Sequence, residues 1–166
     1  MLQKLDIQNY ILIDELSIDL SKQLSVITGE TGAGKSIIMG ALGLILGDRA
    51  DSTVCRNPEK KCFIEGTFHL TNTEQYKAFF EANEIDLSDE LIIRREISAQ
   101  GKSRAFINDT PINLTELRQL TSQLVDLHQQ FDTLTLGEME FQRTVLDALA
   151  NVHKDLETYQ SSFFQW

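Results

Sequence analysis

The chain has 166 residues, 42% hydrophobic and 24% charged, with a formal net charge of −10, enough for one domain with its own core. An acidic balance works against gripping a phosphate backbone by overall charge, so a nucleic-acid contact has to come from a local patch or another segment. The longest apolar run, IIMGALGLILG, stops at 11 residues, short of the ~18–20 that a membrane span needs, and MLQKLDIQNY lacks an apolar signal core; a cytoplasmic protein with no membrane contact is expected.

In chain order, LQKLDIQNY (2–10) and DELSIDL (14–20) alternate as the two strands of a hairpin, and LSVIT (24–28) reads as a short buried strand. A helix follows from Lys35 to about Leu46, with Gly47 as its C-cap. Cys55 and Cys62 complete no zinc spacing and read as small apolar side chains rather than a disulfide. KCFIEGTFHL (61–70) is the next strand and TNTEQYKAFFEAN (71–83) the next helix. ELIIRREIS, AQGK and SRAFIND make a hairpin over 90–109, ended by Pro111. Its Arg94, Arg95, Lys102 and Arg104 are a basic island in an acidic chain, read as a solvated face, with a DNA or partner contact as the alternative. Strand alternation puts Arg94 and Arg95 on opposite faces.

Asn113 with Glu116 resembles a capping box opening a helix from Leu114 to about Leu124. LVDLHQQFDTL (124–134) is polar and irregular, the character of a functional loop, and from Gly137 onward the pattern is one long helix. Val145, Leu149, Val152, Leu156, Tyr159, Phe163 and Trp166 follow a heptad a/d rhythm, a seam of ~33 Å at ~1.5 Å per residue. The seam reaches Trp166 without a cap, so the sequence is expected to be a piece that stops where a coiled-coil arm departs.

GETGAGKS, Gly29 to Ser36, satisfies every fixed position of the P-loop pattern G-x-x-x-x-G-K-[ST]. Gly29, Gly32 and Gly34 let the backbone fold so that successive N–H groups face one concavity, and the helix that follows adds its partial positive end. Lys35 reaches terminal phosphates, and the Ser36 hydroxyl meets Mg²⁺. A P-loop does not name a reaction. No guanine-reading NKxD occurs, a small-molecule kinase would need a second acidic site and an arginine-rich lid, and a nucleotide-binding interaction module is the rival reading.

The stretch LDIQNYILIDELSIDLSKQLSVITGETGAGKSIIMGALGLILGDRA, with IEGTFHL, LIIRREISAQGKSRAFINDTPINLTELRQL, LVDLHQQ and FQRTVLDALA, resembles the RecN family of bacterial recombination-repair ATPases, relatives of SMC proteins. The resemblance implies an α/β fold of the P-loop NTPase class: an ABC/SMC-type ATPase head with antiparallel β elements, split by a long coiled coil. It implies that residues 1–136 are the N-terminal lobe and 137–166 the start of the arm. The signature motif, Walker B strand and switch histidine would come from the C-terminal half. ATP and Mg²⁺ are the implied cofactors. The implied nucleotide contacts are Gly29, Glu30, Thr31, Gly32, Ala33, Gly34, Lys35, Ser36, Ile37 and Arg56, with Arg49 competing for the role of Arg56. Lys35 and Gln130 are the implied catalytic residues, and Ser36 and Gln130 the implied Mg²⁺ ligands. Gln129 stands where relatives carry a glycine, which leaves the register of Gln130 open by one residue; His128 is read as structural. Implied partners are the C-terminal half of the same head, a second head across sandwiched ATP, and DNA in the complete protein, which would be nucleoid-associated. Without that C-terminal half, negligible hydrolysis is expected.

Overall fold

The computed structural model describes residues 1–29, 34–125, 127, 139–150, 159 and 162–163. Two compact units emerge, Met1–Asp126 and Leu127–Trp166.

The first unit is built on a six-stranded sheet in the order β2-β1-β3-β4-β5-β6, with every pairing antiparallel. The strands are β1 Leu2–Tyr10, β2 Ile13–Asp19, β3 Cys62–His69, β4 Glu90–Ile97, β5 Ser103–Ile107 and β6 Thr110–Ile112. One face is apolar because the alternation of each strand meets that of its neighbour in register. Ile7 lies opposite Ile64, Gly66 opposite both Leu5 and Ile93, and Ile93 opposite Ile107, and the isoleucines and Leu5 among these are almost wholly buried. The other face carries Lys4, Asp6, Glu65, Arg94 and Glu96, tied by ion pairs.

Helix α1, Lys35–Ile45, buries Ala41, Gly43, Leu44 and Ile45 in this core. Gly66 makes the approach close: a Cβ there would sit 2.6 Å from Ile45 Cδ1. At the C-terminus of α1, Gly47 has φ 109°, Asp48 N–H donates to Gly43 O at 2.9 Å, and Gly47 N–H to Leu44 O at 3.3 Å. That pair of bonds is a Schellman motif, which the sequence anticipates through Gly47. The capping box is present too, with Asn113 Oδ1 accepting from Glu116 N at 2.9 Å. It opens α3, Leu114–Leu124, which buries Leu117, Leu120 and Thr121.

Three expectations are corrected. LSVIT is no strand: residues 24–28 carry no regular structure, and Leu24, Val26 and Ile27 are 77%, 72% and 46% exposed. A strand needs a hydrogen-bonded neighbour, and no strand among the described residues pairs with this segment. The expected helix over 71–83 is a 3₁₀ turn, Glu74–Tyr76, followed by a short α2, Lys77–Ala82. Thr73 gives no side-chain cap, and Glu84 at φ 55° turns the chain so that Ile85 enters the core. Pro111 does not end the hairpin sheet but sits inside β6 opposite Phe106, tolerated because an edge strand leaves one row of N–H groups unpaired.

In the second unit, α4 spans Met139–Ala150. On it Val145 and Leu149 of the expected seam are 40% and 79% exposed. Tyr159 and Phe163 are helical and stacked, ring centroids 6.3 Å apart. Val152, Leu156 and Trp166 lie outside the described residues.

Candidate functional site

The chain enters the glycine-rich segment exposed and without regular structure, and α1 begins directly behind it. Gly34 is the N-cap at φ 93°, a left-handed backbone that glycine adopts at least cost. Its carbonyl accepts from Ile37 N at 3.0 Å and Ile38 N at 3.1 Å. Among the described residues, a Cβ on Gly34 would meet nothing within 4 Å. The first turn has no acidic residue and no side-chain cap, so among its own residues nothing offsets the positive helix end. The Lys35 ammonium folds back and donates to the Gly29 carbonyl. Ser36 is exposed, and Ile37 is half-buried against the core. Glu30, Thr31, Gly32 and Ala33 lie outside the described residues, as do His128, Gln129 and Gln130.

Arg56 is placed by a second set of contacts. The buried Asn9 side chain accepts from Asn57 N at 2.7 Å and donates to Asn57 O and Lys60 O at 3.0 and 2.9 Å. Arg56 N–H donates to Asn9 O at 3.2 Å, and its Nη1 to Leu12 O at 3.3 Å. Arg56 thus stands on the β1–β2 turn. That turn lies beside α1, since a Cβ on Gly40 would meet the Tyr10 hydroxyl at 2.8 Å. Burial raises the Tyr10 pKa, and Cys62 adds to the rise. Cys55 is half-buried and Cys62 buried, both free; burial, then Cys55, pushes the Cys62 thiol up to about 12. Arg49 is exposed.

The basic hairpin divides. Arg95 is fully buried, which corrects its reading as a surface residue. Its Nη1 donates to Leu44 O at 3.1 Å and Asp48 O at 3.3 Å, and its Nη2 to Ser103 Oγ at 2.6 Å. From α3, Arg118 Nε donates to Gly47 O at 2.8 Å and Thr121 Oγ to Leu46 O at 2.8 Å. Three side chains from two elements therefore hold the C-terminal carbonyls of the P-loop helix. The partial negative charge of that helix end stands in for the carboxylate that Arg95 lacks among the described residues. Burial and then Arg118 lower the Arg95 pKa, against the pull of Asp48. Sequence reasoning missed this clamp; the one available signal was an arginine on the strand face whose neighbours Ile93 and Ile97 are apolar. Arg94 is half-buried on the other face, its guanidinium 5.7 Å and 4.7 Å from the Phe63 and Phe106 ring centroids and paired with Asp109 at 2.7 Å.

A helix that follows a P-loop sequence and is clamped against an antiparallel sheet is the arrangement of a lobe of the ATPase-head fold class. The chain belongs to the AAA domain family, whose profile matches residues 4–162. It is 42% identical over 156 residues to the DNA repair protein RecN of Vibrio cholerae, covering 94% of this chain and 28% of that protein. The RecN resemblance read from the sequence thus holds along nearly the whole chain, which spans under a third of that relative's length. Among solved structures, it superposes with TM-score 0.71 at 21% identity on an Smc head domain with an extended coiled coil from Pyrococcus furiosus, covering 99% of this chain and 45% of that one. A second match is a chain from a study of ATP-driven dimerization and DNA-stimulated activation of SMC ATPases, at TM-score 0.60 and 22% identity, covering 89% of this chain and 98% of that one. The fold is that of an SMC-type head.

Proposed function

We propose that this chain is the ATP-binding half-head of a RecN-like, SMC-type ATPase that works in DNA double-strand break repair and recombination. The observation that carries the reading is the start of α1: a left-handed Gly34, a first turn with no acidic residue and no side-chain cap, and the Lys35 ammonium turned back to the Gly29 carbonyl. These features fit a triphosphate, which would bring the negative charge that the helix end lacks and compete for the Lys35 ammonium. Gly29 through Ile37 would line it, with Arg56 approaching from the β1–β2 turn. Ser36 and Gln130 would hold Mg²⁺, which supplies charge neutralisation at the phosphates. Lys35 stabilises the phosphate charge, and Gln130 orients the attacking water.

In this reading residues 1–136 are the head lobe and 137–166 the start of the arm. The partner is the C-terminal half of the same head, which brings the general base. The exposed LSVIT segment supports this, since apolar residues with strand-forming side chains lead straight into the P-loop; pairing with strands of that half would cover them. Two such heads would close on two ATP molecules. Among the described residues no helix is long and apolar enough to cross a membrane, in keeping with a cytoplasmic, nucleoid-associated role.

Calorimetric titration of the chain with Mg·ATP tests the proposal. Lys35→Ala should weaken binding at least ~10-fold, the loss of one charge-assisted contact of ~1.4 kcal/mol or more, and the wild-type chain should show negligible hydrolysis. Robust turnover by the pure chain, abolished by Lys35→Ala, would instead make it an autonomous ATPase or kinase.

A further inference from the structure

Along one edge of β1 the chain pairs in two separate stretches. Phe63 of β3 lies opposite Gln8. Further along the same edge, Arg56 N–H donates to Asn9 O at 3.2 Å, Cys55 bridges Tyr10, and Ile11 N–H donates to Val54 O at 2.7 Å. Between these stretches the chain bulges out through Asn57, Pro58, Glu59 and Lys60. The bulge is a turn: Lys60 N–H donates to Asn57 O at 3.2 Å and Glu59 N–H to Asn57 Oδ1 at 2.9 Å, with Pro58 fixing φ at its second position. Asn9 is the β1 residue that meets it.

The buried Asn9 amide closes the mouth of this turn. Its Oδ1 accepts from Asn57 N–H, and its Nδ2 donates to both Asn57 O and Lys60 O. The set calls for one acceptor and two donors on a short planar group; an aspartate could not donate, and a leucine could do neither. Asn9 also sits at φ 53°, a left-handed backbone that asparagine tolerates better than most residues with side chains. Its carbonyl holds the Arg56 amide while its side chain holds the Asn57 peptide groups. One buried residue therefore fixes the chain on both sides of the exposed Arg56. The Arg56 guanidinium itself donates to Leu12 O and forms no ion pair among the described residues, Glu59 included. Tyr10, the next residue, ties the same segment to α1 at Gly40, five residues from Lys35, or ~7.5 Å along the helix at ~1.5 Å per residue.

We propose that Asn9 is a positioning residue for nucleotide binding: it holds Arg56 where that arginine meets the bound nucleotide from the β1–β2 turn. The proposal rests on the reading of the start of α1 as a triphosphate site and on Arg56 as one of its contacts. An arginine ordered only on binding would subtract from affinity; with its main chain held on both sides, Arg56 enters the site partly ordered. Asn9 touches no ligand and acts only through Arg56.

The test is calorimetric titration with Mg·ATP of the wild-type chain, Arg56→Ala, Asn9→Gly and the double variant. Glycine keeps the left-handed backbone and the carbonyl that holds Arg56, and deletes only the amide side chain. Arg56→Ala should weaken binding at least ~10-fold, the loss of a charge-assisted contact, and Asn9→Gly at least ~3-fold. In the Arg56→Ala background, Asn9→Gly should change affinity less than ~1.5-fold, because a residue that acts through another loses its effect when that partner is gone. Asn9→Asp keeps the acceptor and loses both donors, and gives the same comparison if Asn9→Gly does not fold. Exchange of the Asn57 amide should be faster in either Asn9 variant; unchanged exchange would overturn the proposal. Equal losses in both backgrounds would make Asn9 a general structural residue and overturn it as well. Mg·ATP binding that is lost in Lys35→Ala but unmoved by Arg56→Ala or Asn9→Gly overturns this proposal alone. A wild-type chain that binds no Mg·ATP overturns the triphosphate reading and this proposal with it.

Discussion

The two ends of α1 are finished in opposite ways. At the N-terminus Gly34 offers no side chain, the first turn has no carboxylate, and Ser36 is exposed. Four residues at the C-terminus, Leu44 to Asp48 without Ile45, have their carbonyls held by Arg95, Thr121 and Arg118. The same element is therefore anchored where it meets the scaffold and, among the described residues, has no side-chain cap at its start. Backbone groups at both ends need partners; the scaffold supplies them at one end, and in the proposed reading an anion would supply them at the other.

That contrast can be broken by substitutions taken in order of expected effect. Arg95→Ala removes a fully buried side chain and orphans Leu44 O, Asp48 O and Ser103 Oγ, so it should cost about 3–5 kcal/mol in urea unfolding. A loss under ~1 kcal/mol would mean that the clamp contributes little to anchoring. Gly47→Ala places a Cβ at φ 109° and 2.5 Å from Arg118 Cγ. It should cost about 1–3 kcal/mol, with less expected only if Arg118 swings away and gives up its bond to Gly47 O. Thr121→Val keeps the shape and deletes one hydrogen bond, for about 1 kcal/mol. At the opposite end Lys35→Ala should leave the unfolding midpoint within about 0.5 kcal/mol of wild type, although it removes the ammonium that the proposed triphosphate needs. If Lys35→Ala instead proved as destabilising as Gly47→Ala, the N-terminal end would be structural rather than reserved for a ligand.

A pattern that completes itself within a few residues was legible from the sequence. Asn113 and Glu116 satisfy each other's amides across one turn, Gly47 is the residue that can reverse a helix end at positive φ, and the 90–109 hairpin carries its own turn around Gly101. The P-loop pattern is local in the same sense, and of it the described residues include Gly29, Gly34, Lys35 and Ser36. What surrounds a strand or a single side chain was not legible in this way. LSVIT has the composition of a buried strand yet stands exposed, since a strand is stable only with a neighbour, and the neighbour is not written in the segment. Alternation separated Arg94 from Arg95, but which of the two faced the core depended on where α1 and α3 came to rest. Only that packing turned Arg95 from an apparent surface charge into the anchor of α1, because a guanidinium is buried at acceptable cost only where distant carbonyls converge on it.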